Sequence, residues 1–111
     1  MRNESDVKKK VRSIFAQHAG EHLWYFMPSA NGYGRAGIPD FVGTFMGRSF
    51  AVETKYGGNT TTAHQANEIA ALSRAGATVW VVDENNWATF QDQFRNFCIA
   101  SLLIAEEQRK H

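Results

Sequence analysis

From Arg48 to Val82 the chain reads strand, helix, strand, and this run restricts the possible folds more than any other feature. Arg48-Ser-Phe-Ala-Val-Glu-Thr-Lys55 is rich in residues that suit a pleated surface. From Thr62 to Ala75, Ala63, Ala66, Ile69, Ala70 and Leu72 form a helical stripe, and Gly76 stands where a C-terminal cap belongs. Ala77 to Val82 is a second strand, whose Val79-Trp-Val-Val82 run is apolar enough to be covered on both faces. Two strands joined by a crossover helix run parallel, with a right-handed connection.

The flanking segments complete the sheet. Asp40-Phe-Val-Gly-Thr-Phe45 is separated from Arg48 by Met46-Gly47, which predicts an antiparallel hairpin. His22-Leu-Trp-Tyr-Phe-Met27 is a further strand, ended by Pro28. Ser29 to Gly37 is a loop in which Gly32, Gly34 and Gly37 stand among Asn31, Tyr33 and Arg35, a composition that lets backbone approach something closely. Before these, Glu4 to Ala19 is a helix, with Val7, Val11, Ile14, Phe15 and His18 on one face and Lys8, Lys9, Lys10 and Arg12 on the outer one. Trp87, Phe90, Phe94 and Phe97 mark a last helix. The expected architecture is α/β: an αβββαβ core with a mixed sheet, plus a C-terminal helix.

With 111 residues and no repeat or linker-like stretch, the chain is expected to form a single domain over 1–111. A domain of this size buries roughly two-thirds of its unfolded surface, enough for one core without staples. The single Cys98 excludes an internal disulfide framework and fits a reducing interior. No apolar run approaches the roughly 20 residues that span a bilayer, and the charged start lacks a secretory signal, so a cytoplasmic protein with no membrane partner is expected. Twelve Lys and Arg against 11 Asp and Glu leave a net charge of +1, so nucleic-acid binding would need a local patch.

Glu53 and Lys55 are two apart on a strand, so both leave the same face, with alpha carbons about 6.6 Å apart. If Met46-Gly47 is a two-residue loop, Asp40 lies opposite Glu53. Two carboxylates facing each other are destabilising unless something positive intervenes, and a divalent cation with oxygen ligands would serve. A three-residue loop would move Asp40 out of register, and Met is a poor residue for the positive φ that tight hairpins need. The competing reading is a solvated sheet face, with Glu53 and Lys55 an ion pair worth well under about 1 kcal/mol.

Gly37-Ile-Pro-Asp40, Val52-Glu-Thr-Lys55, Thr61-Thr-Ala-His-Gln65 and Ala75-Gly-Ala77 before an apolar strand follow one another in an order that resembles the PD-(D/E)xK nuclease superfamily. Within it, the chain is similar to the VRR-NUC group over roughly Glu4 to Val82, and the expected core is the restriction-endonuclease-like one. The resemblance implies a Mg²⁺- or Mn²⁺-dependent phosphodiesterase acting on DNA. Asp40 and Glu53 would be metal ligands, the Thr54 carbonyl a further ligand and Lys55 the catalytic lysine. It also implies roles for an acidic residue on the first helix, here Glu4, with Asp6 competing, and for Gln65. Thr62-Ala-His-Gln65 is equally a capping box. Thr54 departs from the apolar residue common between acid and lysine, of little weight if only its carbonyl is used.

Lys8, Lys9, Lys10, Arg12 and Arg35 are the candidate phosphate contacts, which position DNA without reading it and so favour structure-selective cleavage of branched DNA such as Holliday junctions. Cys98-Ile-Ala-Ser-Leu-Leu-Ile-Ala105 is apolar nearly all round, predicting a homodimer through the C-terminal helix. Trp24, Tyr25 and Phe26 are of a kind that stacks on unpaired bases, but alternate members of a strand must face the core, and the core is the expected home of most of them. His18 and His22 lack a third ligand at zinc spacing. A nucleic-acid-binding module without catalysis and a nicking or restriction-like nuclease are the alternatives.

Overall fold

The computed structural model describes residues 1–29 and 35–110; Asn31, Gly32, Tyr33 and Gly34 of the expected glycine-rich loop lie outside them. The elements are α1 (Glu4–Ala16), β1 (Leu23–Phe26), β2 (Phe41–Phe45), β3 (Arg48–Thr54), α2 (Ala63–Arg74), β4 (Thr78–Val82) and α3 (Trp87–Arg109). The four strands form one sheet in the order β1-β2-β3-β4, antiparallel except for the parallel β3–β4 pair. This is the expected αβββαβ order with a C-terminal helix.

Phe45 pairs with Arg48 and Phe41 with Val52, the register of a two-residue loop. Both loop residues are left-handed, Met46 at φ +48° and Gly47 at φ +82°, as a turn that matches strand twist requires. For Met46 that conformation costs roughly 1–2 kcal/mol. Its side chain packs against the core, which offsets part of the cost.

One face of the sheet meets α1 and α3. Val7, Val11, Ile14 and Phe15 of α1 and Phe90, Phe94, Phe97 and Cys98 of α3 enclose Phe41, Phe45, Phe50, Val52 and Val82. The Phe15 ring lies at its centre, with the centroids of Tyr25 and Phe94 4.6 and 5.1 Å away. Burial raises the Cys98 thiol to a pKa of about 11, so it behaves as a small core side chain.

Three expectations need correction. α1 stops at Ala16 rather than Ala19, because Gln17, His18 and Ala19 donate to carbonyls three residues back and tighten the last turn. Lys8 is not on the outer face of α1: its side chain is only 33% exposed and turns toward Asp40. β4 is not covered on both faces, since Val81 is 38% exposed. The reason is that α2, with no fully buried residue, packs beside β4 without sealing it. At the other end of α2, Gly76 at φ +105° forms the predicted cap, with Gly76 and Ala77 donating to Ser73 and Leu72 carbonyls.

Candidate active site

The site forms at the carboxyl ends of β3 and β4, where open α/β sheets commonly bind ligands. Thr54 is in register with Pro39 once the β2–β3 pairing is extended by two residues. Proline has no N–H to return to the Thr54 carbonyl, so the ladder cannot continue there. Instead Asp40 takes the place of a strand partner: its Oδ2 accepts from the Thr54 backbone N–H at 2.9 Å and from the Thr54 hydroxyl. The Asp40 N–H in turn donates to Glu53 Oε1 at 3.2 Å. The two carboxylates are thus tied to each other's strand end by main-chain bonds, and the proline turns the Thr54 carbonyl into an oxygen without a ladder donor.

Lys55 Nζ lies 3.5 Å from Glu53 Oε2, and Lys8 Nζ lies 3.8 Å from Asp40 Oδ1. Each carboxylate therefore has one ammonium beside it. Compensation is incomplete at Glu53, which is 2% exposed. Burial first, then the neighbouring Asp40 charge, push its pKa from 4.5 up to about 7, with Lys55 acting in the opposite direction. A buried carboxyl poised near neutrality is a common mark of functional sites.

Among the described residues no three His, Cys, Asp or Glu side chains gather closely enough to hold a metal. An ion here would rest on two carboxylates, the Thr54 carbonyl and water, an all-oxygen set that suits Mg²⁺ or Mn²⁺. The residues fit such an ion: the pair is close, anionic in sum above neutral pH, and Glu53 lacks full compensation. His18 lies by the Phe94 ring, with its pKa lowered by burial and then by Arg95, while His22 pairs with Glu21 at 3.8 Å.

The remaining sequence candidates fall in different places. Glu4 is half-buried on the first turn of α1, one turn before Lys8, and its side chain makes no hydrogen bond or ion pair with the described residues. Asp6 is occupied at the helix start, where its carboxylate accepts from the Arg2 N–H at 2.8 Å. Gln65 completes the capping box: its Oε1 accepts from the Thr62 N–H at 2.9 Å and its own N–H donates to the Thr62 hydroxyl. Arg35 pairs with Glu68 on α2 at 2.8 Å. Lys10 covers the Trp87 ring at 4.1 Å, whereas Lys9 and Arg12 face solvent.

Two contributors escape sequence reading. The Thr54 hydroxyl, dismissed in favour of its carbonyl, holds Asp40. Glu84, just beyond β4, accepts from the Gly57 N–H at 2.8 Å through Oε2 and so anchors the loop after Lys55, while its Oε1 is buried without a partner among the described residues. Only the parallel β3–β4 register brings Glu84 there, so no local signal marks it.

Thr54→Val keeps the shape but removes the hydroxyl donor. It is expected to lower stability by about 1.5–3 kcal/mol at neutral pH, as for a hydrogen bond to a charged group. Denaturant unfolding with an unchanged m-value checks this; an unaltered midpoint would mean the hydroxyl does not hold Asp40.

Comparison of the chain with family models, curated proteins and solved structures returned no match.

Proposed function

We propose that this protein is a divalent-metal-dependent, structure-selective DNA endonuclease of the VRR-NUC type within the PD-(D/E)xK superfamily, hydrolysing phosphodiester bonds of branched DNA such as Holliday junctions. The observation that carries the reading is the Asp40–Glu53 pair with Lys55 beside it. A buried carboxylate held against a second one, at the expense of its own ionisation, makes poor sense as structure alone and good sense as a cation site.

Asp40, Glu53 and the Thr54 carbonyl would hold Mg²⁺ or Mn²⁺, which when bound would polarise a phosphate and activate water. The chain's own groups do the positioning. Thr54 locks the Asp40 carboxylate through two donors. Lys55 is close enough to Glu53 to orient a water or to neutralise charge on a phosphate oxygen. Lys9 and Arg12 offer exposed cations for backbone phosphates, and release of Lys8 from Asp40 would free a third.

Homodimerisation belongs to the same proposal. Ile99, Leu102, Leu103 and Ile104 of α3 are 41–65% exposed, an apolar surface that a second copy would cover. No helix among the described residues is long and apolar enough to cross a membrane.

The test is incubation with end-labelled duplex, flap, splayed-arm and four-way DNA in Mg²⁺, Mn²⁺ or EDTA. Cleavage is expected with either metal, absent in EDTA and abolished by Asp40→Ala. A folded protein that cuts none of these overturns the reading. A binding module without catalysis would instead hold DNA equally well in EDTA and leave it intact.

A further inference from the structure

Tyr25 turns into the core, where its ring meets Phe15, but its neighbours Trp24 and Phe26 point the other way and are 60% and 47% exposed. Their rings lie 5.5 Å apart on the edge strand of the sheet. Trp24 pairs with Thr44 and Phe26 with Val42, so the two rings share the sheet face of Val42 and Thr44. Glu53 shares that face, through the register that sets Val42 opposite Ala51. Asp40 is two residues before Val42, the strand partner of Phe26, so its backbone comes just past the end of β1 that Phe26 forms. The rings lie on the edge strand β1, at the opposite side of the sheet from β4, against which α2 packs.

We infer that Trp24 and Phe26 form a stacking platform for unpaired bases of the DNA strand whose phosphate meets Asp40 and Glu53. This inference rests on the nuclease reading and specifies its substrate: DNA with unpaired nucleotides beside the cut. Two observations and one property of duplex DNA select this occupant. The exposed patch is aromatic, unlike the aliphatic surface of α3, and aromatic rings accept any base through its π-face. It shares a sheet face with Glu53, beside which Lys55 lies, so a strand engaging that end of the sheet passes over the rings. Finally, bases in an intact duplex are stacked and turned inward, so flat rings on an open sheet face can engage only bases outside a helix.

The test measures fluorescence anisotropy of a labelled single-stranded oligonucleotide and of the matching duplex in Mg²⁺, on the Lys55→Ala background to keep the DNA intact. Trp24→Leu and Trp24→Ala/Phe26→Ala are expected to weaken single-strand binding about tenfold or more, with duplex binding changed less than about twofold, while Trp24→Tyr retains it. Trp24→Leu and Trp24→Tyr decide the matter even if the double variant fails to fold. Equal affinity of Trp24→Leu and wild type, or equal loss on duplex, overturns the inference. So does a shift from dimer to monomer with unchanged single-strand affinity, which would make the patch an interface between copies. If wild-type protein cleaves nothing yet loses single-strand binding with Trp24, the platform stands and the nuclease reading falls. If it cleaves and Trp24 is indifferent, the reverse holds.

Discussion

Glu53→Gln is expected to stabilise the metal-free protein at pH 8 while reducing cleavage by at least about 1,000-fold, a loss of about 4 kcal/mol in transition-state stabilisation. The opposite signs have one cause. The carboxyl's pKa is about 7 in the folded state against 4.5 for its ordinary value, so the folded protein binds the extra proton between these pH values. Stability accordingly falls as pH rises through that window, and the full penalty, about 3 kcal/mol at most, is present above pH 7. A neutral amide of the same shape removes the penalty but cannot serve as an anionic ligand. The variant should therefore melt several degrees higher than wild type at pH 8 and at nearly the same temperature at pH 4, in EDTA throughout. Added Mg²⁺ should raise the melting temperature of wild type only, and its apparent affinity should weaken as pH drops below about 7. A Glu53→Gln protein that melts lower than wild type at pH 8 would show that Lys55 compensates Glu53 fully and that the site carries no stored repulsion.

Gly37→Ala is expected to cost about 3 kcal/mol or more, lowering the melting temperature by more than about 10 °C. Gly37 adopts φ +83°, and a methyl group there would lie 2.4 Å from the His64 carbonyl carbon and oxygen and 2.8 Å from the Gln65 nitrogen. The left-handed conformation costs roughly 1–2 kcal/mol and the collision with rigid helix backbone a further 1–3. Gly76→Ala is the control, because Gly76 is also left-handed, at φ +105°, but has nothing within 4 Å of the added carbon. It should lose only the conformational part, roughly 1–2 kcal/mol. Since the segment from Gly37 delivers Asp40, Gly37→Ala should also reduce cleavage at temperatures where the protein is still folded. Equal effects of the two alanines on unfolding would show that the approach of Gly37 to α2 is looser than described.

The elements of this protein were legible in its residues because each one had a local cause. The Thr62–Gln65 capping box and the Gly76 cap bracket α2, and apolar spacing sets the inward face of α1. The hairpin register followed from loop length, and with it the meeting of Asp40 and Glu53, since pairing in a tight hairpin is arithmetic once the turn is known. The balance between capping and catalysis at Gln65 was not decidable from spacing, because both readings use the same side chain at the same position. The structure commits its carbonyl oxygen to Thr62.

What depended on tertiary structure involves partners far apart in the chain. Lys8 has the helical spacing of an outer-face cation, yet α1 packs so that it reaches Asp40; the direction in which a helix docks is not written in its own periodicity. The Thr54 hydroxyl and Glu84 acquired roles only when β3 was set between β2 and β4. Likewise, alternation along β1 says that Trp24 and Phe26 share a face but not that the face is open. That outcome follows from α1 and α3 packing together on the opposite side, where their aromatic side chains can bury most area, and from α2 being too slight to cover the whole sheet.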